Sequence, residues 1–163
     1  MKALIQRCQG EVSIKVENTE GTSIQSFSGV GLVVLLGWLE SDTLNPNLDA
    51  AEDWIFNRIE GLRIFEDAQG KMNLSLQDYC TQNNIEGGIL WVSQFTLAAE
   101  LESGFRPSFT KAMNPTLAKK RFEDFTYKVK TLSTSHKNIF GEFGATMHLS
   151  FTNWGPVTIL LEK

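Results

Sequence analysis

Three groups of residues have types and spacing suited to chemistry, and none of them is a standard nucleophile system. The first is SQFTLAAE, where a predicted buried strand opens into a loop and presents Ser93, Gln94 and Thr96. Strand ends held by a rigid scaffold commonly carry sites; the plainer alternative is a set of turn-forming hydroxyls. The second is Gly155-Pro156, inside the strand-like FTNWGPVTILL. Proline removes a ladder donor and belongs at an edge, a bulge or a turn. The glycine before it tolerates backbone shapes that other residues do not. The third is Arg7, which follows Ala3 and Ile5 on an apolar strand face. It either reaches solvent along its stem or braces carbonyl groups at a functional turn, a task its forked donors suit.

The chemistry these groups exclude is as informative. Ser93 lies outside any G-x-S-x-G elbow, and the chain has neither HExxH nor a phosphate-cradling glycine loop with lysine. Nothing in the pattern sets a histidine beside a serine or cysteine as its base. His148 alternates with Met147 and reads as a packed or surface residue. Cys8 and Cys80 match no zinc spacing and read as reduced thiols. His136 and His148 form no familiar metal site. No metal and no cofactor is expected. An enzyme of this make-up works through backbone dipoles and the substrate's own groups.

The elements that must position these residues follow from periodicity. Ala3 to Cys8 and Val12 to Val16 alternate with period two and predict two half-buried strands, with a hairpin-like partner near Thr22 to Phe27. Val30 to Leu39 predicts a strand buried on both faces. Asn45-Pro46 predicts a helix start, with Leu48, Ala51, Ile55 and Ile59 on its apolar face and Gly61 as its stop. Asn114-Pro115 predicts a second, with the stripe Ala118, Phe122, Phe125 and Val129. Ile89 to Phe95 reads as a central strand, and Thr146 to Phe151 with Val157 to Leu161 as a strand pair. The fold class is α+β: one domain over residues 1–163, with a curved, mostly antiparallel sheet and two principal helices.

Composition sets the frame. The chain has 163 residues, 42% hydrophobic and 21% charged, enough for one well-buried core. Its longest apolar stretch is too short to span a bilayer, and its N-terminus turns polar before a signal-peptide core forms. A cytoplasmic location without membrane attachment is expected. A net charge of −4 argues against a grip on long stretches of nucleic acid, where phosphate neutralisation supplies most of the affinity. It leaves room for one nucleotide end held in a pocket.

Taken together, the segments resemble the D-aminoacyl-tRNA deacylase family over almost the full chain: MKALIQR, LRIFEDAQGKMNLSL, WVSQFTL, RPSFTKAMNP, FGATM and NWGPVT, with the SQFTL and GPVT signatures in family order. The resemblance implies a homodimer with a barrel-like core, acting on the aminoacyl-tRNA 3′ end. It implies that Gly155-Pro156 is cis and enters the partner's active site, with Arg7 holding it in place. Ser93, Gln94, Phe95 and Thr96 would surround the aminoacyl ester, and Thr158 would sit beside them. Phe143 and Met147 would hold the terminal adenine, in keeping with the stacking of unpaired bases on aromatic rings. Three residues depart from the family pattern: Trp154 where a small or acidic residue is usual, Glu142 where a basic or neutral one is common, and Phe105 where a second basic residue often stands. Such changes bear on the pocket rim and on phosphate contacts.

Hydrolysis of that ester needs water, an oxyanion site and a proton acceptor. Backbone N–H groups around Gln94 to Thr96 would supply the oxyanion site, and the ribose 2′-hydroxyl is the favoured group to position water, ahead of Thr158 and Gln94. A wall that rejects L-side chains by clash is sufficient for chirality and leaves glycyl-tRNA a substrate. The competing readings are an RNA-end binder without turnover, a protein using only a dimer surface, and a hydrolase of a different small ester or amide.

Overall fold

A computed structural model describes residues 1–102 and 104–163. Strand β1 (Lys2–Asn18) turns at Gly21 into β2 (Gly21–Gly37), and the two pair antiparallel along their whole length. Helix α1 (Leu48–Glu60), a small ribbon of β3 (Phe65–Glu66) and β4 (Met72–Leu74), and helix α2 (Leu76–Asn83) follow. The chain then re-enters the sheet as β5 (Gly87–Ser93), crosses it as α3 (Pro115–Leu132), and ends in β6 (Lys137–Phe140) and β7 (Thr146–Glu162).

The main sheet runs β6-β5-β2-β1-β7. The α+β class holds, but the sheet is mixed: β1 pairs antiparallel with β2 and β7, while β2–β5 and β5–β6 are parallel. It curls without closing into a barrel, since β6 and β7 remain edge strands. The curl folds the far end of the β1–β2 hairpin over the sheet's own base. There Val12, Ile14, Val16 and Phe27 pack with Val33, Leu90, Val92 and Ile139. Phe27 fits because Gly31 and Gly88 lie beneath its ring; a Cβ at either would come within 2.7 Å of it. The opposite face carries the helices, with Ile55 and Phe56 of α1 and Phe122, Phe125 and Val129 of α3 buried against Ala3, Ile5, Leu32, Val34 and Trp91.

Several expectations change in the folded chain. The two predicted strands of the first segment are one strand, and so are Thr22–Phe27 and the apolar run after it. The predicted terminal pair is also one strand, β7, whose two halves both lie along β1. Pro156 does not end β7, because four residues, Trp154 to Val157, bulge opposite the single residue Arg7, and pairing resumes at Gln6–Thr158. Helix α3 begins as predicted, with the Asn114 side chain accepting from the Thr116 N–H at 3.0 Å. Helix α1 starts later than predicted, because Asn45-Pro46 is spent in the preceding turn, and Asn47 stands at the N-cap position without a side-chain capping bond. Strand β5 stops at Ser93 and lies second from an edge, not at the centre. A third helix, α2, was not anticipated; it is capped by Ser75 and Asp78, each side chain bonding the other's backbone.

Candidate active site

Strand β5 ends at Ser93 because the next residue leaves the extended region: Gln94 has φ −143° and ψ 82° and opens a single 3₁₀ turn, Phe95–Ala98. The Gln94 N–H still donates to the Leu36 carbonyl at 2.6 Å, so the turn is anchored to β2. The Gln94 amide donates to the Thr96 hydroxyl, fixing both polar side chains. This turn forms one wall of a cavity of about 890 Å³ lying between the ends of β2 and β5, the start of α3 and the loop before β7. Ser93, Gln94, Phe95, Phe143 and Met147, far apart in sequence, all line it. Thr96 contributes through its bond to Gln94 and is not on the wall.

The rest of the lining was not foreseen. Trp38, Phe109, Met113 and Pro115 also line the cavity. Phe95, although 53% exposed, stands edge-on to Phe109 at 5.1 Å between ring centroids. Asn114-Pro115 was read only as a helix start, yet it also brings the RPSFTKAMNP segment to the cavity. Among the described lining residues, Glu40 is the only one with an ionisable side chain. The cavity thus offers hydrogen-bond donors, aromatic faces and apolar wall, with no histidine or cysteine on it. The Gln94 N–H is already engaged, while the Phe95 and Thr96 N–H groups have no backbone acceptor among the described residues.

Arg7, Gly155, Pro156 and Thr158 form a second group that lines no part of this cavity. Arg7 is only 4% exposed, which decides between its two readings. Its Nε donates to the Trp154 carbonyl at 3.0 Å and its Nη1 to the Ile64 carbonyl at 2.6 Å. The guanidinium therefore braces the backbone directly before Gly155-Pro156, a cis peptide. Val157 is buried on the other side of the dipeptide, and the Thr158 hydroxyl donates to Gln6 Oε1 at 2.5 Å. Gly155 and Pro156 themselves are exposed. The outcome is a projection pinned at both ends.

The remaining candidates are elsewhere. Burial pushes the Cys8 thiol up to about 12, so it stays protonated and unreactive; Cys80 is half-buried, and burial raises its thiol too. His148 is exposed on β7, with Glu17 3.9 Å away. His136 does lie beside serines, contrary to expectation, at 3.0 Å from Ser133 Oγ and 3.2 Å from Ser135 Oγ. This cluster closes the end of α3 and is no part of the cavity wall.

The family model described as D-Tyr-tRNA(Tyr) deacylase matches residues 4–162. The chain belongs to that family. The D-aminoacyl-tRNA deacylase of Exiguobacterium sibiricum is 38% identical, covering 100% of both chains. That of Lacticaseibacillus casei is 41% identical, covering 99% of this chain and 97% of its own. Among solved structures, c-Myc DNA Unwinding Element Binding Protein superposes with a TM-score of 0.75 at 35% identity, covering 100% of this chain and 99% of that one. A probable eukaryotic D-amino acid tRNA deacylase superposes at 0.74 over 99% of both chains; at 18% identity it shows the fold alone. Membership of the deacylase family carries the activity class with it, hydrolysis of the ester bond of D-aminoacyl-tRNA.

Within the deacylase fold, the three departures have separate fates. The Trp154 ring packs edge-on against Phe65 and Tyr79. Glu142 accepts both of its bonds from the Asn18 amide, at 2.9 and 2.8 Å. Phe105 is fully exposed on a bend away from the cavity wall. No helix among the described residues is long and apolar enough to cross a membrane.

Proposed function

We propose that this chain works as a homodimer in which each cavity takes the 3′-terminal adenosine of a charged tRNA and its aminoacyl ester, and in which the partner's Gly155-Pro156 forms the wall that refuses L-amino acids. One observation carries this reading. The residues that fit an ester and a base share one cavity, while the braced projection made by Arg7, Gly155 and Pro156 lies outside it and exposed. A projection held that firmly and left unused by its own protomer suits insertion into a second copy.

The sheet face opposite the helices supports the pairing. Leu35, Leu4 and Leu160 lie in one cross-strand row, and Gln6 and Thr158 in the next. Leu160 is 50% exposed and no helix covers this row, an apolar strip of the kind that marks an association surface.

In the cavity, Phe143 and Met147 hold the adenine, and the ester carbonyl points at the Phe95 and Thr96 N–H groups. Water adds to the carbonyl carbon and the oxygen becomes an oxyanion at those two donors. The ribose 2′-hydroxyl positions the water and passes its proton toward the departing 3′-oxygen as the ester bond breaks, leaving free amino acid and tRNA. With no ionisable group but Glu40 on the wall, the RNA's own hydroxyl is the best-placed proton carrier. A D-side chain points away from the Gly155-Pro156 carbonyls and an L-side chain points into them; glycine meets no wall.

The test is turnover of D-tyrosyl-tRNA by the purified protein, with and without a short RNA ending in CCA. Hydrolysis that the short RNA suppresses is the expected result. Binding without hydrolysis would leave only an RNA-end binder, and hydrolysis indifferent to the competitor would point to a small-molecule esterase.

A further inference from the structure

Trp154 stands immediately before the projecting dipeptide, and its indole is used in two directions at once. One face lies under the Arg7 guanidinium, 4.3 Å from ring centroid to Cζ. The rest is wedged against Phe65 and Tyr79, at 6.1 and 5.9 Å between centroids, and those two rings are 5.4 Å from each other. Phe65 belongs to β3 and Tyr79 to α2, and the second carbonyl gripped by Arg7, that of Ile64, is next to β3. The ribbon and the short helix line no part of the cavity, yet both converge on this residue.

We propose that Trp154 is a positioning residue for the chirality wall. It locks Arg7 between a carbonyl and a ring of the same residue, and it ties Gly155-Pro156 to the β3–α2 unit as a backstop. Indole is the most favourable ring for a cation–π contact, and arginine is the cation most often found over one. The planar Arg7 guanidinium donates through Nε to the Trp154 carbonyl and through Nη1 to the Ile64 carbonyl, and the ring beneath it restrains the tilt of that plane. A small or acidic side chain at this position would leave the carbonyl bond but neither the stacked face nor the aromatic backing. In this chain, D-over-L selectivity therefore depends on a side chain that does not touch the substrate.

This inference rests on the reading of Gly155-Pro156 as the wall, and its test separates the two. Turnover of D- and L-tyrosyl-tRNA is measured for the wild type, Trp154→Leu and Trp154→Phe, with thermal unfolding of each. Trp154→Leu keeps apolar bulk against Phe65 and Tyr79 and removes the ring under Arg7. Its D-over-L ratio falls by about tenfold or more through faster L-cleavage, and Trp154→Phe recovers most of the ratio. Tyr79→Leu, which withdraws the backing alone, shifts the ratio in the same direction and serves should Trp154→Leu not fold. A folded Trp154→Leu or Tyr79→Leu protein with the wild-type ratio overturns the positioning role while leaving the wall intact. A wild type that cleaves both antipodes alike overturns the wall, and this inference with it.

Discussion

Arg7→Ala is expected to lose both stability and chiral discrimination, and Arg7→Lys is expected not to rescue either. The guanidinium is buried at a point where four residues of β7 oppose it alone. Its removal leaves the Ile64 and Trp154 carbonyls without their donor. Each orphaned buried acceptor costs about 1–3 kcal/mol. The cost of burying a charge, which disappears with the side chain, offsets part of this, so a net loss of about 3 kcal/mol is expected. Lysine keeps the charge and has three N–H donors, but all radiate from one nitrogen without a planar face, so it cannot reproduce the separate Nε and Nη1 bonds while stacking on Trp154. Urea denaturation checks the stability. A fall of about a hundredfold in the D-over-L ratio, close to 3 kcal/mol of transition-state discrimination, is the functional readout. An Arg7→Lys protein with wild-type selectivity would show that the braced backbone is not what holds the wall.

The second large effect concerns the substrates themselves. Rejection by clash with two backbone carbonyls needs a penalty of only about 4 kcal/mol to slow L-aminoacyl-tRNA roughly a thousandfold relative to its D-antipode. The same geometry has no purchase on a substrate without a side chain. Glycyl-tRNA should therefore be cleaved within about tenfold of the D-tyrosyl rate, because it meets the same oxyanion donors and avoids the wall. Initial rates on the three charged tRNAs, measured side by side, check this. Cleavage of D-tyrosyl-tRNA with glycyl-tRNA untouched would mean that the pocket recognises the D-side chain instead of excluding the L.

How far these features could be read in advance differs by residue, for physical reasons. Local signals were reliable where they were redundant: Asn114 and Pro115 with the stripe Ala118, Phe122, Phe125 and Val129 specify one helix from both its end and its face, and all four apolar positions are buried. The Val30–Leu39 run reads as doubly buried because it is apolar without alternation, and in β2 Leu32, Val34 and Leu36 pack into one apolar cluster while Val33 packs into the other. The Ser93–Thr96 strand end and the Phe143–Met147 segment are both singled out by the family motifs. Their meeting in one cavity, and its further lining by Trp38, Phe109 and Met113, depend on how α3 docks across the sheet, which no local pattern encodes. Pro156 stands where a proline is tolerated in a sheet, at a bulge in the edge strand β7, and because it owes no ladder bond there the strand carries on past it as one element instead of two. Helix α2 escaped notice because it is short and buries little beyond Leu76. The packing of Trp154 against Arg7, Phe65 and Tyr79 has no local signal, because those residues are distant in sequence.

The central claim is that the chirality wall of each cavity comes from the other subunit, and hybrid dimers test it directly. One protomer carries Ala145→Trp, which fills the cavity it lines, and keeps its own Gly155-Pro156. The other keeps its cavity and carries Gly155→Ala, whose Cβ would meet the Val157 backbone nitrogen at 3.0 Å and so crowd the dipeptide, while the exposed Asn153 amide at 2.7 Å can swing aside. In the purified hybrid, the one open cavity faces an undamaged wall only if walls are exchanged. The account predicts that the hybrid regains the wild-type preference for D- over L-tyrosyl-tRNA, whereas the Gly155→Ala homodimer lacks it. A hybrid as unselective as that homodimer, or a protein that stays monomeric throughout, would contradict it.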